Sequence, residues 1–178
     1  MKLFIASDVH GSLTATEKII SAMREEGADQ LVLLGDVYYH GPRNPLPEGY
    51  APMEVAKKLN DMKNLTVIRG NCDCEVDGMI SDFPFLESAL LFYNDKKIFL
   101  THGHVYNENS VPAGCDVLIY GHFHTGFIKD KENVVLANPG SVSLPKNGTE
   151  KSYLTLNNGV LTLKKLDDGS VICQKNLY

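Results

Sequence analysis

Five short apolar runs of this chain end in the same way, with a glycine beside acidic, amide or imidazole side chains. The runs are residues 3–6, 31–34, 65–68, 97–100 and 117–120. Continuous apolar runs of about four residues are typical of strands that are buried on both faces of a sheet. The chain is therefore constrained to build a buried sheet, and its polar residues are expected beyond the carboxyl ends of the strands.

Two apolar stripes at helical spacing separate the first three runs and predict two α-helices between the strands. The first stripe consists of Ala15, Ile19, Ala22 and Met23, and the second consists of Val55, Ala56, Leu59 and Met62. Thr14 with Glu17 predicts a capping box at the start of the first helix, and Gly27 predicts its end. Pro52 suits the first turn of the second helix. Strand, helix and strand in this order are typical of a parallel βαβ unit.

The second half of the chain has shorter strand-like segments with turn sequences between them. Residues 94–96 predict a hairpin turn between strands at 89–93 and 97–100. Segments 127–128, 134–136, 153–156 and 160–163 predict an antiparallel remainder, with turns at 158–159 and 168–169. Residues 38–52 hold four prolines and predict a long surface loop, which in a compact domain is usually functional. Residues 1–178 are interpreted as one domain because no linker-like segment interrupts them.

The composition disfavours several functional classes. The chain has 17 basic and 22 acidic residues, a net charge of −5 and no basic run, so a nucleic-acid partner is not expected. No apolar stretch approaches the length of a membrane span, and Met1-Lys2 leads directly into a strand. The four cysteines lack the spacing of a disulfide framework. A cytoplasmic protein without a membrane partner is expected.

The residues that follow the apolar runs are oxygen and nitrogen ligands for metal ions. Seven of them are candidate ligands, namely Asp8, His10, Asp36, Asn71, His102, His122 and His124. Taken singly, an aspartate at such a position could cap a helix or a turn, and a histidine could be an ordinary polar residue. Five of the six histidines follow these runs, however, and this concentration favours a metal site. Mixed imidazole and carboxylate ligands suit two ions of Mn, Fe, Co, Ni or Zn that share a carboxylate.

The order of these motifs resembles the calcineurin-like metallophosphoesterases. The matching motifs are Asp8-Val9-His10, Gly35-Asp36, Gly70-Asn71, His102-Gly103-His104 and Gly121-His122-Phe123-His124. Segments 7–12, 40–44, 47–52, 70–73 and 138–142 further resemble the small bacterial YfcE-type phosphodiesterases of that family. The resemblance implies an α/β fold, a four-layer α/β/β/α sandwich in which two mixed sheets are flanked by helices. It also implies a phosphoric diester hydrolase that acts on small phosphodiesters.

The resemblance implies two divalent transition-metal ions, with Mn as the first expectation, and a ligand set for each ion. One ion is expected to be held by Asp8, His10, Asp36 and His124, and the other by Asp36, Asn71, His102 and His122. Asp36 would bridge the ions, and a hydroxide shared between them would attack the phosphodiester in line. The expected catalytic residues are Asp36, Asn71, Cys72 and His104, and the expected substrate contacts on the loop 38–52 are His40 and Arg43.

Cys72 departs from the wider family, which usually has a histidine after Gly-Asn. A thiol, with an ordinary pKa of about 8.5, is a poor substitute for an imidazolium that assists the leaving group or binds phosphate. Weak activity on phosphomonoesters is therefore predicted, although Cys72 could instead be a small buried filler. The YfcE-type proteins share this cysteine, so the departure fits the subfamily. His104 could contact the substrate or hydrogen-bond a metal ligand.

Two other functions are compatible with the resemblance. One relative, the retromer scaffold subunit, binds proteins and has lost the histidine of the first motif, so the presence of His10 favours an enzyme over a metal-stabilised scaffold. The fold also serves DNA-repair nucleases, which the acidic net charge and the lack of a basic or aromatic-rich groove disfavour. A homodimer or homotetramer through the loop 38–52 is expected by analogy only. Residues 138–141 are interpreted as a turn that supports the wall of the site.

Overall fold

The computed structural model describes all residues from Met1 to Tyr178 and contains two β-sheets and two α-helices. The strands are β1 (Leu3–Ala6), β2 (Gln30–Leu33), β3 (Leu65–Ile68), β4 (Phe85–Leu86), β5 (Ala89–Tyr93), β6 (Lys96–Thr101), β7 (Val117–Tyr120), β8 (Gly126–Lys131), β9 (Val134–Pro139), β10 (Ser152–Asn157), β11 (Val160–Lys165) and β12 (Val171–Asn176). The α-helices are α1 (Leu13–Glu25) and α2 (Pro52–Asn60), and a short 3-10 helix covers Glu75–Met79. The larger sheet has the order β12-β11-β10-β1-β2-β3-β4, and the smaller sheet has the order β5-β6-β7-β9-β8.

The centre of the larger sheet is the predicted βαβ unit. β1 is buried along its whole length and pairs in parallel with β2, with Leu3 opposite Gln30 and Ala6 opposite Leu33. β3 continues the parallel order, whereas β10 pairs antiparallel with the other side of β1. In the smaller sheet β6, β7 and β9 are parallel, and the outer strands β5 and β8 are antiparallel to their neighbours. Both sheets are mixed, and the expected α/β fold class is confirmed.

Alternating side chains of β1 fill two apolar layers, one on each face of the larger sheet. Phe4 packs in the layer beneath α1 and α2, whereas Ile5 packs in the layer between the two sheets. The face-to-face packing brings the carboxyl ends of strands from both sheets together. At this edge His102, after β6, donates a hydrogen bond from Nδ1 to the carbonyl oxygen of Leu34, after β2, at 2.6 Å. The polar strand ends of the two sheets therefore face one another.

Helix α1 begins two residues earlier than predicted because Ser12 caps it. The Oγ of Ser12 accepts a hydrogen bond from the backbone N–H of Ala15 at 3.1 Å, so the predicted capping box of Thr14 and Glu17 is wrong. The chain leaves β1 through Gly11, whose φ of 75° turns it directly into the helix. The predicted end of α1 and the predicted start of α2 agree with the structure.

The outer face of the smaller sheet carries no α-helix, because both α-helices pack on the larger sheet. The fourth layer is instead the connection between β6 and β7. Val111 and Cys115 of this connection pack beside Leu118 of β7, and the Tyr106 ring meets the Phe99 ring edge-on at a centroid distance of 5.4 Å. Proline and glycine residues interrupt this connection and leave it without a helical stripe. The two mixed sheets are thus flanked by helices on one side and by a folded loop on the other.

The antiparallel remainder predicted for the second half of the chain is only partly right. β8 with β9 and β10 with β11 are antiparallel, but β9 also pairs in parallel with β7. The sequence pattern misses β4, which has two residues, and β12, whose residues at the edge of the larger sheet are mostly exposed. Neither α-helix combines the length and the apolar character that crossing a membrane requires.

Glu26, directly after α1, joins three other side chains in a polar network. Its Oε1 accepts hydrogen bonds from Lys164 Nζ at 2.6 Å and from the Tyr153 hydroxyl at 2.9 Å, and its Oε2 pairs with Lys2 Nζ at 2.6 Å. Burial acts to raise the pKa of Glu26, but these three donors outweigh it and lower the pKa to about 2. Because this value lies below the ordinary glutamate pKa of about 4.3, the stabilisation is present above that pH and is lost as the pH falls towards about 2.

We expect Glu26→Gln to lower the free energy of unfolding by about 2 kcal/mol at neutral pH and to flatten its decline below about pH 5. Urea unfolding of the variant and the parent protein between about pH 7 and pH 2.5 measures both effects. Glu25→Gln is the matched control, since Glu25 is exposed at the same end of α1. Equal losses of stability for the two variants would contradict the role of the Glu26 network.

Candidate metal centre

Five of the candidate ligands have a left-handed backbone, which is rare for residues with a side chain. The φ angles are 58° at Asp8, 51° at His10, 54° at Asp36, 67° at His122 and 56° at His124. The other non-glycine residues with positive φ all lie in turns between strands or in a surface loop. A left-handed residue costs roughly 1–2 kcal/mol, so five such residues at the facing strand ends of the two sheets indicate a functional arrangement of their side chains.

The tautomers of three histidines follow from their hydrogen bonds to backbone carbonyls. The Nδ1 of His10 lies 2.7 Å from the carbonyl oxygen of Tyr39, and that of His124 lies 2.6 Å from the carbonyl oxygen of Leu144. The Nδ1 of His102 makes the equivalent hydrogen bond to the carbonyl oxygen of Leu34. A carbonyl oxygen only accepts, so each Nδ1 carries a proton. The Nε2 atoms of the neutral His10 and His124 rings present lone pairs, and the Nε2 of His102 would do so when a bound cation replaces its second proton. All three rings are therefore oriented as metal ligands usually are.

The first cluster of donor atoms consists of Asp8, His10 and His124. The two Nε2 atoms of the histidines lie 3.1 Å apart, and Asp8 Oδ1 lies 3.4 Å from His124 Nε2 and 3.9 Å from His10 Nε2. Asp8 is fully buried, and its Oδ1 has no hydrogen-bond partner. A buried carboxylate oxygen without a partner is costly, and facing lone pairs repel each other. A divalent cation among these atoms would remove both costs, so the residues fit a metal ion.

The second cluster contains Asp36, Asn71 and His102. The Nε2 of His102 lies 3.0 Å from Asn71 Oδ1 and 3.4 Å from Asp36 Oδ1. The other oxygen of Asp36 faces the first cluster, at 3.7 Å from His10 Nε2. Asp36 thus lies between the two clusters, as a bridging carboxylate would. The His122 ring packs edge-on against the His102 ring at a centroid distance of 5.1 Å, so the structure brings all seven candidate ligands to one edge.

Burial shifts the titration of the clustered groups. It raises the pKa of Asp8 to about 7 and lowers the pKa of His122 and of His124 to about 4. Burial acts to lower the pKa of His102 as well, but the Asp36 and Asp8 carboxylates outweigh it and raise the pKa to about 9. The charge and hydrogen bond of His102 in turn hold the pKa of Asp36 below its usual range despite burial. The desolvated carboxylates and imidazoles form a site whose charges a bound cation would balance.

Asp73 is a supporting residue that the sequence analysis misses. Its buried carboxylate accepts hydrogen bonds from the backbone N–H groups of Asp36 at 2.9 Å, Val37 at 2.8 Å and Gly70 at 2.7 Å. These bonds tie the end of β2 to the end of β3 and fix the backbone that carries Asp36. The sequence signal is an aspartate three residues after a glycine at a strand end, which is typical of a side chain that caps a turn.

Residues 138–143 lie against the wall of the site, but Asn138 and Pro139 are the end of β9 and not part of the predicted turn. The Oγ atoms of Ser141 and Ser143 each donate a hydrogen bond to the carbonyl oxygen of Asp8, at 2.8 Å in both cases. The Nδ2 of Asn138 donates to the carbonyl oxygen of Gly121 at 2.7 Å. The backbone on either side of the first cluster is therefore held by the side chains of Asn138, Ser141 and Ser143.

A cavity of about 850 Å³ opens above the donor clusters. Its lining residues are Asp36, Tyr39, Gly41, Pro42, Arg43, Asn44, Asn71, Cys72, Cys74, His122, Phe123, His124 and Lys146. Arg43 lines the cavity as a substrate contact would. Lys146 also lines it, although no pattern in the sequence distinguishes this lysine from a solvated loop residue.

The remaining candidate residues differ in their position. His40 does not line the cavity, because its ring packs edge-on against Tyr39 and Tyr50 at centroid distances of 4.8 Å and 5.4 Å. The structure thus gives its predicted substrate contact no support. His104 is exposed beside the His102 ring, at a centroid distance of 5.4 Å, and it too lies outside the cavity lining. Cys72 is half-buried, and burial together with the Asp36 charge raises the pKa of its thiol to about 12.

The fold and the two donor clusters define the class of the protein. Residues 1–159 match the family model of the calcineurin-like phosphoesterase superfamily domain, and the chain belongs to this superfamily. The phosphodiesterase YfcE of Escherichia coli K12 is 47% identical over 180 residues, which cover 98% of this chain and 97% of YfcE. A solved structure of YfcE from E. coli, described as a phosphoesterase, superposes with a TM-score of 0.96 and 44% identity and covers 100% of both chains. Vacuolar protein sorting 29 of Cryptosporidium parvum shares the fold, with a TM-score of 0.64, 19% identity and coverage of 98% of this chain and 96% of that one.

Proposed function

We propose that this protein is a metal-dependent phosphodiesterase that hydrolyses small phosphodiesters. The observation that carries the proposal is the convergence of imidazole lone pairs and buried carboxylates on the floor of a cavity. The 47% identical E. coli relative is named a phosphodiesterase, which supports the same activity here. The four cysteines are free, which is consistent with a reducing compartment, and we place the protein in the cytoplasm.

Two divalent transition-metal ions, with Mn as the first candidate, are proposed for the site. Asp8, His10, Asp36 and His124 would hold one ion, and Asp36, Asn71, His102 and His122 would hold the other. When bound, such a pair supplies a hydroxide for in-line attack at neutral pH and stabilises the charge on the phosphoryl oxygens. Asp36 orients both clusters, and its Oδ1 is itself held by the backbone N–H of Cys72 at 2.9 Å.

The thiol of Cys72 supports a preference for diesters over monoesters. With a pKa of about 12 the thiol stays protonated and neutral at physiological pH, so it adds no positive charge for a dianionic monoester. It is also too weak an acid to protonate a poor leaving group efficiently. Diesters with good leaving groups need neither contribution.

The proposal predicts that metal-stripped protein reloaded with Mn hydrolyses bis-p-nitrophenyl phosphate at least tenfold faster than p-nitrophenyl phosphate, as judged by kcat/KM. The metal-stripped protein without Mn is expected to be inactive on both. Release of p-nitrophenolate under steady-state conditions measures each rate. A folded protein that binds two metal ions and hydrolyses neither compound would overturn the proposal in favour of a protein-binding scaffold. Fast hydrolysis of the monoester would contradict the role given to Cys72.

A further inference from the structure

We propose that the outer part of the cavity binds a second anionic group, so that the preferred substrates are nucleotide-like phosphodiesters carrying a further phosphate. The inference rests on the proposed phosphodiesterase activity and names the substrate class of the same site. Two cationic side chains, Arg43 and Lys146, and two aromatic rings carry it.

The charge of the outer cavity is opposite to that of the protein. Asp36, which belongs to the donor clusters, is the one acidic residue of the lining, whereas the chain as a whole has 22 acidic and 17 basic residues. The part of the lining beyond the candidate ligands contains Arg43 and Lys146 and no carboxylate. Neither cation takes part in any of the salt bridges of the protein. Two unpaired cations in an acidic protein favour a ligand with more negative charge than one diester phosphate provides.

Lys146 is held near the donor clusters by its backbone. Its N–H donates to the carbonyl oxygen of His124 at 2.9 Å, and its own carbonyl oxygen accepts from the N–H of Thr149 at 3.0 Å and from the Thr149 hydroxyl at 2.8 Å. The backbone of Lys146 is therefore fixed beside the first cluster, and the residue lines the cavity above that cluster.

Arg43 approaches the cavity from a separate segment of the chain, the loop 38–52. Asn44 closes the turn that bears this arginine, because its Nδ2 donates to the carbonyl oxygen of His40 at 2.8 Å and its N–H to that of Gly41 at 3.3 Å. A guanidinium suits bidentate contact with a phosphate, and an ammonium adds a compact second charge. Cations from two separate segments thus line the same cavity.

Two aromatic rings in the lining suit a planar group on the same substrate. Tyr39 and Phe123 line the cavity and are 41% and 44% exposed, so part of each ring is uncovered. The Phe123 ring is held edge-on by His122 at a centroid distance of 5.1 Å and by Tyr120 at 5.9 Å. Stacking of a base on an aromatic side chain contributes about 1–3 kcal/mol without sequence preference. A nucleoside that carries a second phosphate combines both features.

The test compares two chromogenic diesters that differ only in one phosphate. These are thymidine 5′-(p-nitrophenyl phosphate) and the same compound with an additional 3′-phosphate. In both, water displaces p-nitrophenolate from phosphorus, the P–O bond to the aryl group breaks and the proton goes to solvent. We expect kcat/KM to be about tenfold higher for the compound with the 3′-phosphate, mainly through a lower KM. This change corresponds to about 1.4 kcal/mol, close to the lower end of what a hydrogen bond to a charged group contributes.

Arg43→Gln and Lys146→Gln are each expected to reduce the ratio of the two kcat/KM values towards one. Lys57→Gln is the control, because Lys57 is exposed on α2 and does not line the cavity. Because the measured quantity is the ratio of the two kcat/KM values, a variant that loses activity equally on both compounds leaves it unchanged. The metal-free protein adds an independent measurement, since thymidine 3′,5′-bisphosphate should bind more tightly than thymidine 5′-phosphate in calorimetry, and both glutamine variants should lose this difference.

The outcomes distinguish a failure of the second anion site from a failure of the phosphodiesterase activity. A ratio near one in the parent protein, with normal turnover of bis-p-nitrophenyl phosphate, would overturn the second anion site and leave the phosphodiesterase intact. A ratio that survives both substitutions would also overturn it, because the phosphate would then be bound elsewhere. No turnover of any diester would instead overturn the phosphodiesterase activity, and the calorimetric difference would still decide whether the anion site exists.

Discussion

Replacement of Asp36 by asparagine is expected to lower kcat/KM for bis-p-nitrophenyl phosphate by more than a hundredfold while the protein remains folded. Asp36 lies between the two donor clusters, with Oδ1 3.4 Å from His102 Nε2 and Oδ2 3.7 Å from His10 Nε2. Asparagine keeps the shape and an oxygen that can accept the N–H of Cys72, but it removes the charge that would bridge two cations. Loss of an outer partner of a metal ligand typically costs about 10–100-fold, and loss of a bridging ligand should exceed that range.

Two measurements distinguish this loss from unfolding. Thermal unfolding without metal should occur within a few degrees of the parent protein, whereas the rise in Tm on addition of Mn should be greatly reduced because the variant binds the ions weakly. Asp95→Asn, at the exposed tip of the β5–β6 hairpin, makes the same change of charge and should retain activity and the Tm response. Parent-like turnover by Asp36→Asn would rule out the bridged centre proposed for this site.

The positions of the strand ends are predictable because each buried strand is determined by a short local sequence. A buried strand reads as a short apolar run, and parallel strands end at one edge, so Asp8 and Asp36 could be placed together from the sequence. Their left-handed backbone could not be foreseen, since aspartate is enriched at positive φ but most aspartates adopt other conformations. Tertiary hydrogen bonds between distant strand ends hold that conformation, for example from the N–H of His122 to Asp8 Oδ2 at 3.0 Å.

The residues that the sequence analysis misses depend on how loops fold back over the site. The sequence around Lys146 does not indicate that its backbone N–H bonds to the carbonyl oxygen of His124. The sequence around Asp73 indicates only a turn residue, whereas in the structure its carboxylate accepts hydrogen bonds from three backbone N–H groups. The prediction for His40 errs in the opposite direction. This histidine lies on the same loop as Arg43, but its ring packs against Tyr39 and Tyr50 and does not line the cavity. Such contacts are set by tertiary structure, whereas capping errors such as that at Thr14 arise because Ser12 offers an equally good local solution.

Close approach of backbone segments is as important to the site as the ligands themselves, and Gly70 provides the sharpest example. A Cβ built on this residue would overlap the Oδ1 and the backbone nitrogen of Asp36 and lie 3.0 Å from its Cγ. The backbone N–H of Gly70 is also fixed, since it donates to Asp73 Oδ2 at 2.7 Å. Neither side of the contact can move without displacing the carboxylate between the two clusters. Only a glycine at this position lets the ends of β2 and β3 meet.

We therefore expect Gly70→Ala to lose stability and activity together. Forcing a methyl group into a packed site typically costs about 1–3 kcal/mol, and displacement of Asp36 should lower kcat/KM for bis-p-nitrophenyl phosphate by more than tenfold. Urea unfolding and steady-state turnover with Mn measure the two effects. Gly78→Ala is the matched control, because a Cβ on this residue of the 3-10 helix would meet no atom within 4 Å, and its stability should stay within about 0.5 kcal/mol of the parent protein. If Gly70→Ala were as active and as stable as Gly78→Ala, the carboxylate of Asp36 would be free to shift, and the position assigned to it between the two clusters would be wrong.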